Sequence, residues 1–330
     1  MSRRKKDAGF ILDKITHANL RSNQLTEDEL YMIHAASLEI MSQVGIKVES
    51  EKARKLFAEG GAIVEGQTVK IPAHIVEESI KSAPSMILLA ARDPKKDYVI
   101  RQKKVAFINF GEGVNTIDPY TREYRRSTKQ DVERNTLVAD AIDVLPVTYR
   151  SVACQDKHGH VQALHNAEAM FRNTSKHIFI GPDGERNALK IIEMAAEISG
   201  GKDILKQRPL VTFNVCPTSP LQLNPMASDV IIEAAKAGIP CNIISMALSG
   251  ATAPVTLAGT LVTHNAEVLS AVVLSQLSEK GAPVLYASST SIMDVRHLTT
   301  PVGSPELAMI SNAVAQLSQY YNLPSFVAGG

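Results

Sequence analysis

His264, Asn265 and Glu267 stand at the end of a long stretch, from Ala237 to Ala266, that carries no Asp, Glu, Lys or Arg. Residues three apart on a helix share a face, so an imidazole at 264 and a carboxylate at 267 are spaced to act together where a helix opens. A helix N-terminus disfavours the imidazolium and favours a carboxylate, which suits a neutral histidine beside an anion. The plainer alternative is a polar link at a helix start. Glu306, one residue after Pro305, carries the same pair of readings.

Other chemistry-bearing groups are weaker. His158, His160 and His165 cluster, but imidazoles two apart reach one metal only from an extended segment, and only Asp156 stands nearby as a further ligand. They read as a polar loop, and no metal is expected. Gly181-Pro182-Asp183-Gly184 reads as a turn rather than a phosphate cradle, with Arg186 the sole basic residue at hand. No Walker sequence, nucleophile elbow or HExxH occurs. Gly250, Ala251, Ala253, Ala258 and Gly259 are small enough either to let a flat ligand or partner approach the backbone or to let the next helix pack closely.

The elements that position these groups alternate regularly. Strand-like runs at Val105–Phe110, Val147–Ala153, His177–Gly181, Leu210–Val215, Pro240–Met246, Pro283–Ser288 and Ser325–Ala328 are separated by helical patterns. Several helices have explicit starts: Thr128, Asn224 before Pro225, and Ser304 before Pro305. Buried parallel strands with crossover helices follow. Helix-to-strand connections such as Ala237-Gly238-Ile239 are short, whereas strand-to-helix connections such as Asn214–Leu223, Ala247–Gly259 and Ser289–Gly303 are long, as in a (β/α)8 barrel whose active face is built from those loops. The competing dinucleotide-binding sheet needs a third glycine that Gly111-Glu112-Gly113-Val114-Asn115-Thr116 lacks. Residues 105–330 are therefore expected to form an α/β (β/α)8 TIM barrel, incomplete at about seven strands. Residues 1–104 are expected to form an N-terminal cap with small β elements and three helices. The first has Thr26 and Glu29 in capping-box spacing and Gly45 as its stop; Ser50–Glu59 and Ala73–Ser82 follow. A chain ending on Val327-Ala328-Gly329-Gly330 would leave a strand edge open, so the eighth strand is expected beyond it.

Composition narrows the class. With 35 basic and 34 acidic residues the net charge is +1, which offers no field for nucleic acid or an anionic membrane. The three cysteines, Cys154, Cys216 and Cys241, are widely spaced and do not form a disulfide framework. Arg3, Arg4, Lys5 and Lys6 precede an apolar stretch too short for a signal sequence, so a cytoplasmic chain is expected.

Several motifs then belong together: Cys216-Pro217-Thr218-Ser219-Pro220-Leu221; Ser249-Gly250 and Pro254; the run Leu257 to Ser270 around His264; Thr300-Pro301-Val302-Gly303-Ser304-Pro305-Glu306-Leu307; and Leu323-Pro324-Ser325-Phe326-Val327-Ala328-Gly329. Across essentially the whole chain this resembles the trimethylamine:corrinoid methyltransferase family. The resemblance implies a TIM barrel that moves a methyl group from a methylamine to the cobalt of a separate corrinoid protein, in methylotrophic methanogenesis or related bacterial methylamine metabolism. It also implies a catalytic pyrrolysine, read from an amber codon, just after Gly330, so that the 330-residue product alone is expected to be inactive. Asn109, Asn214, His264, Glu267, Tyr286 and Glu306 are then the candidates for shaping the amine pocket. Ser219, Ser249, Gly250 and Gly259 are the candidates for the corrinoid-facing loops. The expected partners are the cognate corrinoid protein and a small methylated amine, with a homo-oligomeric assembly. Two alternatives stay open: a relative without pyrrolysine that demethylates a quaternary amine such as glycine betaine, and a truncated binding stub without catalysis.

Overall fold

The computed structural model describes residues 24–101 and 104–329. The basic N-terminal residues Arg3 to Lys6, and Gly330, lie outside them. The described residues form two compact units that interleave along the chain: a larger one of residues 24–87, 183–188 and 213–329, and a smaller one of residues 88–182 and 189–212.

The larger unit opens with helix Glu27–Glu39, started by a complete capping box: the Thr26 side chain accepts from the Glu29 N–H, and the Glu29 carboxylate accepts from the Thr26 N–H at 2.7 Å. Leu30, Ile33, His34 and Ser37 form its buried face. The helix runs on as a π-helical turn, Ile40–Val44, and stops at Gly45. There φ is +85°, and a Cβ would stand 2.9 Å from the Val69 carbonyl, so only glycine fits. Strand Ile46–Val48 pairs antiparallel with Thr68–Lys70, which forms a hairpin with Ile63–Glu65, so the expected small β elements are present. Helices Glu51–Glu59, capped by Ser50, and Ala73–Ser82 complete the front block.

The parallel strands are numbered in chain order: β1 Val147–Tyr149, β2 His177–Ile180, β3 Val211–Val215, β4 Cys241–Ser245, β5 Val284–Ser288 and β6 Ser325–Val327. In the larger unit β4 lies between β3 and β5, and β5 between β4 and β6, all parallel. The crossovers are helices Pro225–Ala237, Leu257–Ser278 and Pro305–Tyr320. Asn224 and Ser304 cap the first and third, each with proline at the first helical position. β3, β4 and β5 are buried along their whole length, as strands covered on both faces must be, and they read as near-continuous apolar runs. Helix Leu257–Ser278 is long and apolar enough by composition to cross a membrane, but 78% of its most apolar window is buried within the fold. It packs on helices Glu27–Glu39, Ala73–Ser82 and Pro225–Ala237.

In the smaller unit β1 and β2 pair in parallel, with Val147 opposite His177, beside helices Lys129–Ala141 and Gly159–Asn173. One strand expectation fails here. Val105–Phe110 is not a strand, and Phe107 and Phe110 are 63% and 79% exposed. Asn109 supplies the reason. Its amide nitrogen donates to the Tyr149 carbonyl at 2.7 Å and its carbonyl accepts from the Tyr149 N–H at 2.8 Å, so a side chain takes the place of a backbone ladder beside β1.

Candidate functional site

The candidate residues of the larger unit gather around helix Leu257–Ser278. It begins at Leu257, with Thr256 as N-cap, so His264, Asn265 and Glu267 lie two turns inside it and not at its opening. All three are buried. The expected influence of the helix N-terminus is thereby corrected, since the macrodipole acts within the first turn. Burial takes over: it lowers the His264 pKa to about 3 and raises that of the Glu267 carboxyl despite three donors to it.

His264 and Glu267 share a face but serve different partners. Glu267 accepts from Ser245 Oγ of β4 at 2.6 Å, from Ser219 Oγ at 2.8 Å and from the Leu221 N–H at 3.0 Å. It thus pins the loop after β3 to β4 and the helix. His264 Nδ1 lies 3.1 Å from Thr290 Oγ1. The Thr290 hydroxyl donates to the Ser245 carbonyl, so His264 carries its proton on Nδ1, and Nε2 is a buried acceptor with no partner among the described residues.

Asn265 is the centre of a longer chain. Tyr286 OH of β5 donates to Asn265 Oδ1 at 2.7 Å. Asn265 Nδ2 donates to Ser37 Oγ at 2.9 Å and to Tyr321 OH at 2.8 Å. Tyr321, already accepting, donates to His34 Nδ1 at 3.0 Å, which leaves the His34 proton on Nε2, where it meets Glu77 Oε1 at 2.7 Å. The donors run in one direction from β5 to the Glu77 carboxylate.

These bonds also sort the faces of the strands. Tyr286 and Ser245 reach the helix, so the residues alternating with them point the other way. That opposite face carries Asn242, paired in register with Asn214 and Leu285. Asn242 Nδ2 donates to Asn214 Oδ1 at 2.9 Å, leaving Asn242 Oδ1 and Asn214 Nδ2 buried and without partners among the described residues. Whichever way the two amides are turned, the pair spends one donor and one acceptor on itself and presents one of each. Such a pair can hold a small polar group on a face otherwise lined by Ile244, Leu285 and Ala287. Asn242 escaped the sequence reading; its signal was one amide inside the apolar run Pro240–Met246, at the place Asn214 occupies in the preceding strand.

The remaining candidates separate. Tyr286 is fully buried on the helix side. Glu306 is half-buried in the first turn of Pro305–Tyr320 and is not one of these partners. Asn109, in the smaller unit, is committed to Tyr149. Ser219 is tied to Glu267, and Ser249 Oγ donates to the Val255 carbonyl at 2.8 Å. Gly259 packs under Pro254, where a Cβ would come to 2.8 Å. Gly250 alone of the four loop candidates is exposed, with φ +81°. His158 caps helix Gly159–Asn173, its Nδ1 accepting from the His160 N–H at 3.4 Å. Among the described residues no group of three His, Cys, Asp or Glu could hold a metal.

Buried neutral histidines set an acid limit. His264 in the larger unit and His177 in the smaller one are lowered to about 3 and about 4 by burial, from 6.5. The unfolded chain binds protons at these sites below pH 6.5 while the folded chain does not. Stability is therefore retained above 6.5 and lost as the pH falls, at a limiting slope of about 1.4 kcal/mol per pH unit for each histidine. Urea unfolding between pH 7 and 5 measures this, and a flat profile contradicts it.

Parallel strands joined by helices, with long loops after the strands, define an α/β barrel-class protein. Solved structures agree. The monomethylamine methyltransferase of Methanosarcina barkeri matches with a TM-score of 0.57 and 14% identity, over 96% of this chain and 70% of that one. A family profile described as trimethylamine methyltransferase (MTTB) matches residues 2–330, and the chain belongs to that family. Among curated relatives, a trimethylamine methyltransferase of Desulfitobacterium hafniense is 58% identical over 92% of this chain. One of Methanosarcina thermophila is 43% identical over 93%. A glycine betaine methyltransferase of Desulfitobacterium hafniense is 33% identical over 93%. The chain spans 62%, 65% and 64% of the lengths of these three relatives.

Proposed function

We propose that the protein transfers a methyl group from trimethylamine to the cobalt of a cognate corrinoid protein. The observation that carries this reading is the 58% identity to a trimethylamine methyltransferase, against 33% to a glycine betaine methyltransferase. The transfer breaks a C–N bond with the bonding pair leaving on nitrogen, so the amine must carry positive charge as the bond breaks. Reduced cobalt on the partner supplies the nucleophile. This chain binds and orients the amine, and the Asn214–Asn242 pair, with one free donor and one free acceptor, suits the polar end of that arrangement.

The loops after the parallel strands fit a corrin-bearing partner in character. Met246, Val255, Leu298 and Val302 are exposed there, with Gly250 beside them, and Asp294 and Arg296 are the only Asp, Glu, Lys or Arg among the residues between β5 and Leu298. A pyrrolysine following Gly330, a homo-oligomeric assembly and a cytoplasmic site of action belong to the same reading. Mass spectrometry of the native protein checks the pyrrolysine directly.

The reaction is tested with native protein, reduced corrinoid partner and each amine in turn, following cobalt methylation by its absorbance. Trimethylamine is expected to methylate the cobalt and release dimethylamine. Methylation from glycine betaine but not trimethylamine would sink the reading in favour of the quaternary-amine alternative, and none from either would favour a binding protein.

A further inference from the structure

On the helical side of the larger unit, away from Asn214 and Asn242, lies a 410 Å³ cavity whose lining includes His34, Glu77, Ile80, Lys81, Tyr320 and Tyr321. Its polar groups are unevenly committed. Tyr321 OH accepts from Asn265 and donates to His34, so toward the cavity it offers only its ring. His34 is buried and gives its Nε2 proton to Glu77 Oε1 at 2.7 Å. That bond fixes the carboxylate and spends one oxygen; the other has no hydrogen-bond partner among the described residues. Tyr320 is 43% exposed, and its ring meets that of Tyr321 edge-on at 5.3 Å.

Lys81 stands four residues after Glu77 on helix Ala73–Ser82. An i, i+4 pair in this order ordinarily closes into an ion pair on a helix surface. Here Glu77 is held by His34, and no ion pair joins it to Lys81. The cavity wall therefore carries a carboxylate and an ammonium that do not neutralise one another, on one helix face, beside two tyrosine rings. A simple cation meets Lys81 there, and a simple anion meets Glu77. A molecule carrying both charges satisfies both, and aromatic rings beside a carboxylate are suited to an alkylated ammonium.

We propose that this cavity is a second ligand site for a small zwitterion of the betaine or amino-acid class. Its ammonium lies against Glu77 and the Tyr320 and Tyr321 rings, and its carboxylate against Lys81. The site is independent of the proposed methyl transfer.

The test is calorimetric titration of the native protein with glycine betaine, tetramethylammonium chloride and sodium acetate as probes, on the unaltered protein and on Glu77→Gln and Lys81→Met. Glu77→Gln keeps an acceptor for His34, and thermal unfolding of each variant reports whether the fold is intact. Each variant is expected to weaken glycine betaine about tenfold or more, as loss of a charge-assisted contact implies. Tetramethylammonium is expected to bind more weakly in Glu77→Gln and more tightly in Lys81→Met, where the opposing ammonium is gone, and acetate to bind measurably only with Glu77 neutralised. Two outcomes overturn the proposal: no saturable betaine binding at millimolar concentration, or betaine binding that survives both substitutions unchanged, which would place it elsewhere in the molecule.

Discussion

Asn265→Ala lowers folding stability by about 3 to 5 kcal/mol, because one fully buried amide serves three partners at once. Tyr286 OH, on β5, loses its acceptor on the helix while burial denies it water, and Tyr321 and Ser37 lose a common donor. The vacated volume adds a smaller cost. Asn265→Leu separates the two effects: it restores most of the volume and recovers only that smaller part. Asn265→Asp is informative in a different way. A carboxylate accepts from both tyrosines, so the Tyr321 proton turns from His34 to residue 265, and the one-way chain to Glu77 is broken at its middle. Urea denaturation of the three variants gives the ranking, with Asn265→Leu close to Asn265→Ala. A loss below about 1 kcal/mol in Asn265→Ala would show that the tyrosine hydroxyls find other partners.

Glu267→Ala has a comparable cost, about 3 to 5 kcal/mol, with a local signature the first substitution lacks. Three donors converge on this carboxylate, two of them from the loop after β3. Without it the Leu221 N–H is released, so its hydrogen exchange is expected to accelerate ahead of the amides of β4. Glu267→Gln keeps an oxygen for the serine hydroxyls but sets an amide N–H against the Leu221 N–H, and so retains part of the stability. The pH dependence follows from the raised pKa. A carboxyl whose folded pKa lies above its unfolded value of 4.5 favours folding most below pH 4.5, and that contribution is lost as the pH rises through the folded pKa. Glu267→Gln therefore removes a decline in stability just above pH 4.5. Identical pH slopes in the two proteins would contradict the assignment.

Much of the architecture was legible in the chain because it is written in local chemistry. Thr26 and Glu29, Asn224 with Pro225, and Ser304 with Pro305 mark helix starts by side-chain geometry that acts over three or four residues. The hairpin at 63–70 and the apolar runs of β3, β4 and β5 are equally local. Val105–Phe110 misleads for the same reason: its apolar pattern is that of a strand, and nothing local announces that the Asn109 amide binds Tyr149 in place of a ladder. The start at Leu257 was missed because Thr256 lies in a long uncharged loop in which no single residue stands out as a cap.

By itself the sequence determined the class of fold, the alternation of strands and helices, and, through its motifs, the family to which the chain belongs. Only the tertiary structure decided which side of the strands each polar residue faces. It sent His264, Glu267 and Tyr286 into the layer between strand and helix, and left the Asn214–Asn242 pair on the other side. The physical reason is that these partners are brought together across tens to hundreds of residues, and burial between packed elements, not position along a helix, governs their protonation. Desolvation set His264 neutral and raised Glu267, and it depends on what the fold places around a side chain.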